Sequence, residues 1–160
     1  MRANGKTSVL LAVDPGTHEP MAGIHGAIDM ARQLVRGYAD RVVVLHVREF
    51  SVARLSAMMA EHGGADGQRM VDQIVAVLRD AGVNAEGVVR EADGGHVAAT
   101  ILRAADEFGA SAIVLSSPKR RVPVGSVAQH LMRAGDVPVV IVRRAALTRD
   151  PELALAGRSQ

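Results

Sequence analysis

Two aliphatic runs, Ser111 to Ser116 (SAIVLS) and Val137 to Arg143 (VPVVIVR), bracket a basic loop and one short helix-forming stretch, Ser126 to Ala134. A run of aliphatic residues with no polar face suits a strand covered on both sides. Strand, helix and strand in that order imply a parallel pair, because the crossover returns the chain to the same end of the sheet. The pattern repeats upstream. Ser8 to Asp14 (SVLLAVD) and Arg41 to Val47 (RVVVLHV) are further buried runs, and Asn84 to Glu91 alternates more weakly, as a strand nearer an edge does. Between the strands, Ile24, Ile28, Ala31, Val35 and Tyr38 mark a helix from about Pro20 to Tyr38. Met70, Ile74, Val77, Leu78 and Ala81 mark another, closed by Gly82, while Gly63, Gly64 and Gly67 break the period before it. A third carries Val97, Ala98, Ile101, Leu102, Ala105 and Phe108 on its apolar face and closes at Gly109. The order βαβαβαβαβ predicts an α/β fold, an open five-stranded parallel sheet with helices on both faces.

The 160 residues suit one domain, expected over 1–145, with 146–160 as a tail that loses the pattern. Arg54 to Glu61 is expected to form a short helix inside the long connection after the second strand. Aromatic residues are confined to Tyr38, Phe50 and Phe108, so the core must be aliphatic. The absence of cysteine excludes disulfides and thiol chemistry and suits the cytoplasm. The first residues carry no signal-peptide pattern, and no apolar run is long enough to cross a bilayer, so no membrane association is expected. A net charge of +2 gives no basis for nucleic-acid binding.

Several familiar chemistries find no support. Gly5-Lys6-Thr7 lacks the upstream glycine of a P-loop and precedes a strand instead of following one. No Gly-x-Ser-x-Gly elbow is present. A phosphate-accepting receiver would want paired acids after the first strand and a lysine after the last, and the chain offers Asp14 alone and arginines. The six histidines lack metal-ligand spacing, and no metal site is predicted. His46 lies in a buried run and reads as a hydrogen-bonded core histidine. Glu91, Asp93 and His96 could meet at the end of the third strand, but Asp93 is expected to cap the following helix and the other two to face water. Met58 and Met59 read as packing residues. Ser126-Val-Ala-Gln129 matches a capping box, in which Ser126 binds the Gln129 backbone. Asp14 either closes a turn with Gly16 or meets a ligand or metal. Lys119, Arg120 and Arg121 precede the helix start at Gly125-Ser126, where free N–H groups attract anions.

Taken in order, the first strand ending in Asp14, the second ending in Leu45-His46-Val47, the fourth (AIVLSS) leading to Gly125-Ser126-Val127, and the closing DVPVVIVRR resemble the universal stress protein family over about Ser8 to Arg144. The resemblance implies the strand order 3-2-1-4-5. It also implies a crevice between the first and fourth strands, flanked by Asp14 and Ser116. Members of the family that bind ATP carry Gly-x2-Gly-x9-Gly-[Ser/Thr] after strand four. Matched to that motif, Ser116 and Lys119 replace the first two glycines, the loop is four residues shorter, and Gly125 and Ser126 are retained. The resemblance would put Asp14 near a ribose, Val47 near an adenine, and Gly125, Ser126, Val127 and Ala128 near phosphates.

The expectation is a non-catalytic cytoplasmic regulatory protein of the stress response, with no catalytic residue. It would act as a homodimeric interaction module through the fifth strand, Val137 to Arg143, with a protein partner of unknown identity and weak or no ATP binding. The alternative is an ATP or AMP sensor, with magnesium, using the Lys119–Arg121 loop and the Gly125-Ser126 helix start. A slow ATPase is a weaker third reading, since no base or water-positioning residue stands out.

Overall fold

The structure, a computed structural model, describes residues 7–14, 24–50, 63–93, 96–117 and 125–143. In chain order the elements are β1 (Ser8–Val13), α1 (His25–Tyr38), β2 (Arg41–Phe50), α2 (Gly63–Asp80), β3 (Ala85–Asp93), α3 (Val97–Glu107), β4 (Ala110–Ser117), α4 (Ser126–Ala134) and β5 (Val139–Arg143). The five strands form one parallel sheet in the order β3-β2-β1-β4-β5. The most aliphatic runs hold the centre. All six residues of β1 are buried, and Val42 to Leu45 of β2 are wholly inaccessible. Burying each such side chain stabilises the fold by about 1.5–3 kcal/mol.

Because successive strand residues face opposite sides, the sheet separates two cores. Val9, Leu11, Val13, Val42 and Val44 pack with Ile28, Met70, Ile74 and Leu78 of α1 and α2. Leu10, Ala12, Val43 and Leu45 pack with Ala98, Ile101 and Ala105 of α3 and Leu131 of α4. Helices therefore cover both faces, as the alternation predicts. The weakly alternating third strand does lie at an edge, opposite β5.

Gly82 and Gly109 follow α2 and α3 with φ of 78° and 62°, the left-handed conformation that only glycine adopts cheaply. Behind α2, Val83 N–H donates to Leu78 O at 3.0 Å and Gly82 N–H to Arg79 O at 2.9 Å, so the chain turns straight into β3. At the amino end of the sheet, Thr7 N–H donates to the Asp40 carboxylate at 3.0 Å, and Asp40 N–H donates to Thr7 O at 2.9 Å. Phe108 is flanked by the guanidinium groups of Arg41 and Arg90, each 5.9 Å from the ring centroid. These two arginines also pair with Glu86 and Glu107.

Four expectations need correction. Gly63, Gly64 and Gly67 do not break the helix; α2 runs through all three. Its length and buried face outweigh glycine's propensity cost of about 1 kcal/mol per residue. Asp93 does not cap α3: it lies in β3, paired with Phe50, and the helix starts from His96. The Thr100 hydroxyl donates to His96 O at 3.0 Å, closing that first turn. Ser126 is not the cap of α4. Gly125 is, with Gln129 N–H donating to Gly125 O at 3.0 Å, so Ser126 is already the first helical residue and the capping box is out of register. Finally, the fifth strand starts at Val139, after Pro138, whose carbonyl accepts from Ile113 N–H at 2.9 Å. Proline has no N–H to give in return, so regular pairing begins one residue later.

Pro20, the Arg54–Glu61 stretch, Met58, Met59 and the tail 146–160 lie outside the described residues. Among the described residues, no helix is long and apolar enough to cross a membrane.

Candidate functional site

A parallel sheet delivers every strand's carboxyl end to one edge, and a crevice opens where neighbouring connections leave in opposite directions. Here that point lies at β1. Its two neighbours are β2, the next strand in sequence, and β4. The pairing register places the candidate residues at this edge. Val13 faces His46 of β2, and Ala12 faces Leu115 of β4. One residue further on, Asp14 follows Val13 level with Val47, and Ser116 follows Leu115. Five predicted positions thus share one edge with the α4 start: Asp14, exposed just beyond β1; Val47, half-buried; Ser116, half-buried; and Gly125 with Ser126, both exposed. Val127 is half-buried against the α3–α4 core and Ala128 is buried, so both side chains go to packing. Lys119, with Arg120 and Arg121, lies outside the described residues.

The backbone at the two ends of the missing-glycine loop differs. Ser116 and Ser117 are still within the ladder, paired with Val142 and Arg143. Where the ATP-binding motif has a glycine, this chain continues as regular strand. Gly125 adopts φ −61° and ψ 163°, extended backbone open to any residue. A Cβ added there would meet nothing within 4 Å. Among the described residues, neither conformation nor packing requires glycine at this position. The first N–H groups of α4 have no partner within the helix and carry its positive dipole end. Among the described residues, no side chain stands between Gly125 and an approaching phosphate.

Among the described residues, no cluster of three or more His, Asp or Glu side chains could hold a metal. Glu91 and His96 are both exposed, and Glu91 pairs with Arg48, its register neighbour on β2; the Asp93 side chain lies outside what the structure describes.

His46 is a core histidine, as predicted: it is 7% exposed, and its Nδ1 lies 3.1 Å from Val13 O. The reading of the sequence missed what lies over it. A Cβ on Gly67 of α2 would stand 2.3 Å from His46 Cδ2 and 2.7 Å from Nε2. The signal was present: Gly67 falls in helical register with Met70, Val71, Ile74 and Leu78, all buried. A glycine on a buried helix face marks a close approach. Gly87 of β3 makes a second one, since a Cβ there would stand 2.4 Å from Val71 Cγ1. The helix α2 is therefore seated on β2 and β3 at two points where no side chain intervenes.

With this geometry, the model of the universal stress protein family matches residues 7–143. A universal stress protein family structure from Burkholderia pseudomallei is 26% identical, with 89% of this chain and 99% of that one covered at a TM-score of 0.63. The universal stress protein of Archaeoglobus fulgidus in complex with dAMP is 21% identical, covering 84% and 96% of the two chains at 0.61. A family protein from Arabidopsis thaliana with AMP bound is 20% identical, covering 91% and 98% at 0.64. No curated protein matches. The strand order 3-2-1-4-5 is thus the order that the resemblance implied, and the chain belongs to the universal stress protein family.

Proposed function

We propose that this chain is a non-catalytic regulatory module of the stress response, a cytoplasmic homodimer joined through β5, whose crevice binds ATP only weakly. The observation that carries the weak binding is Ser116. It remains in the β4–β5 ladder, paired with Val142, where a phosphate cradle needs a loop that has left the sheet. With Lys119 at the second glycine and four residues fewer in the loop, fewer N–H groups can wrap a triphosphate. What remains is the helix start at Gly125 to Ala128 and the charge of Lys119, Arg120 and Arg121. Contacts of that kind are screened by salt. The homodimer reading rests on the apolar edge strand: Val139 to Val142 are only half-buried, and an unpaired aliphatic edge invites a second strand.

A second reading, an AMP or ATP sensor, is favoured by Gly125, whose glycine neither the backbone nor packing among the described residues demands. The AMP and dAMP held by two structural neighbours support it. In this reading Asp14 meets the ribose, Val47 the adenine and the α4 start the phosphate, with magnesium accompanying ATP. A monophosphate needs a shorter cradle than a triphosphate, so the helix start alone could serve it. Calorimetry with AMP and with magnesium-ATP, at low and moderate salt, separates the two. The first reading expects ATP affinity that falls steeply with salt and is lost in Lys119→Ala/Arg120→Ala/Arg121→Ala. Tight ATP binding indifferent to both would defeat it, and salt-resistant AMP binding would establish the sensor.

A further inference from the structure

We propose that His46 is a positioning residue for the nucleotide crevice: its Nδ1–H holds the Val13 carbonyl and so fixes the Val13–Asp14 peptide at the crevice mouth. The ligand part of this inference rests on the nucleotide reading above; the placement of the peptide does not.

Three observations carry it. First, a carbonyl can only accept, so the 3.1 Å contact between His46 Nδ1 and Val13 O requires the proton on Nδ1. Second, the bond stands where the sheet stops. The β1–β2 register ends at the Val13–His46 pair, and Asp14 is already outside the strand and exposed. A side chain thus adds its donor to the last carbonyl of β1, where the β1–β2 ladder ends. Third, the arrangement is built around. The imidazole is buried on the α1–α2 face of the sheet, and Gly67 removes the one Cβ that would displace it. The ring is clamped between a strand end and a helix. Val13 and Asp14 share a peptide plane, so fixing the Val13 carbonyl fixes the direction in which the chain leaves towards Asp14. Val47, adjacent in sequence to His46, faces the opposite core. One residue pair on β2 therefore sets both walls: Val47 directly, and the Asp14 side through His46.

The test uses the full-length protein with His46→Asn and His46→Gln. The Asn amide nitrogen can take the place of Nδ1; the longer Gln carries its nitrogen near the place of Nε2. Long-range imidazole ¹⁵N spectra of the ligand-free wild type should show His46 protonated at Nδ1. The Asp14 amide resonance should stay close to wild type in His46→Asn and move or broaden in His46→Gln. AMP affinity, measured by calorimetry, should fall about tenfold in His46→Gln and stay within about threefold in His46→Asn, the range one buried hydrogen bond spans. A bare Nδ1 with the proton on Nε2 overturns the proposal, and so does an Asp14 resonance indifferent to both changes. Equal loss of AMP affinity in the two variants overturns it as well. If either variant fails to fold, the wild-type tautomer still decides. Wild-type protein that ignores AMP defeats the sensor reading instead, and the tautomer and the Asp14 resonance then judge His46 alone.

Discussion

Gly67→Ala should destabilise the protein, although helix propensity alone says the opposite. In an exposed helix interior the change stabilises by about 1 kcal/mol. Here the new methyl would stand 2.3 Å from His46 Cδ2. Ordinary carbon contacts lie at about 3.5–4.0 Å, so ring or helix must retreat by more than about 1 Å. Forced repacking of a filled core costs about 1–3 kcal/mol. A ring that retreats that far also gives up its 3.1 Å bond to Val13 O, and losing one such hydrogen bond costs about 0.5–1.5 kcal/mol. The two costs overlap, because strain is relieved by breaking the bond. Setting the propensity gain of about 1 kcal/mol against overlapping costs of about 1–3 kcal/mol leaves a net loss of up to about 2 kcal/mol. Urea melts followed by far-ultraviolet circular dichroism measure it, since the chain has no tryptophan. Gly37→Ala is the control. Gly37 is in α1, and a Cβ there meets nothing within 4 Å, so alanine should stabilise by a few tenths to about 1 kcal/mol. In Gly67→Ala/His46→Ala the methyl has room, and the double change should cost less than the sum of the single ones. A Gly67→Ala protein as stable as Gly37→Ala would refute the close approach.

Gly87→Ala should lose about 1–3 kcal/mol through the 2.4 Å approach to Val71 Cγ1, with partial recovery in Gly87→Ala/Val71→Ala, read by the same melts. Ser126→Ala should change stability by less than about 0.5 kcal/mol, because Gly125 holds the cap position; a loss of about 1 kcal/mol would restore the capping box. Gly125→Val should fold, since its extended backbone admits valine and no described residue stands within 4 Å of the new Cβ, yet weaken AMP binding; unchanged affinity would remove Gly125 from the site. Val140→Arg, a charge placed in the half-buried edge strand, should shift the protein to monomer in light scattering, and an unchanged assembly state would sink the β5 interface.

The architecture was legible because it rests on two periodicities that survive in any context. Val42 to Leu45 can be nothing but a strand with both faces covered, and Ile28, Ala31 and Val35 can be nothing but one face of a helix. What the sequence left unread were places where tertiary contact reassigns a residue's local meaning. Gly63, Gly64 and Gly67 are helix breakers by propensity and helix members in α2, because the buried face beginning at Gly67 outweighs a local cost. Asp93 has a capping residue's chemistry, but the strand extends through it. Ser126 has a cap's chemistry too, and is displaced by one position because Gly125 takes the extended conformation. In each case the residue type was read correctly and its register was set by contacts distant in sequence.

The same distinction applies to the candidate site. Asp14, Val47, Ser116 and Gly125 are named from the sequence by order and resemblance, and the sheet register brings Asp14, Val47 and Ser116 to one edge. The contact that fixes that edge, His46 to Val13, was half legible: a polar residue in an apolar strand must find a partner, but the sequence does not say which. The partner turns out to be the last carbonyl of β1, and Gly67 is the position that makes room for the ring. These facts bear on the degenerate motif. A loop four residues shorter has fewer N–H donors to offer a triphosphate, yet it leaves β1, β2 and their histidine clamp intact. In the proposed module, weak ATP binding need not dismantle the adenosine side of the crevice, because the two sides would be held by different elements, β4–α4 for phosphate and β1–β2–α2 for ribose and base. The proposed module can therefore keep a preference for the nucleoside end of a ligand while its grip on the phosphate end is reduced to a helix start and surface charge. Competition between adenosine, AMP and ATP measures this directly: near-equal affinities at moderate salt follow from divided support, and a steep rise from adenosine to ATP would show that the shortened loop still forms a cradle.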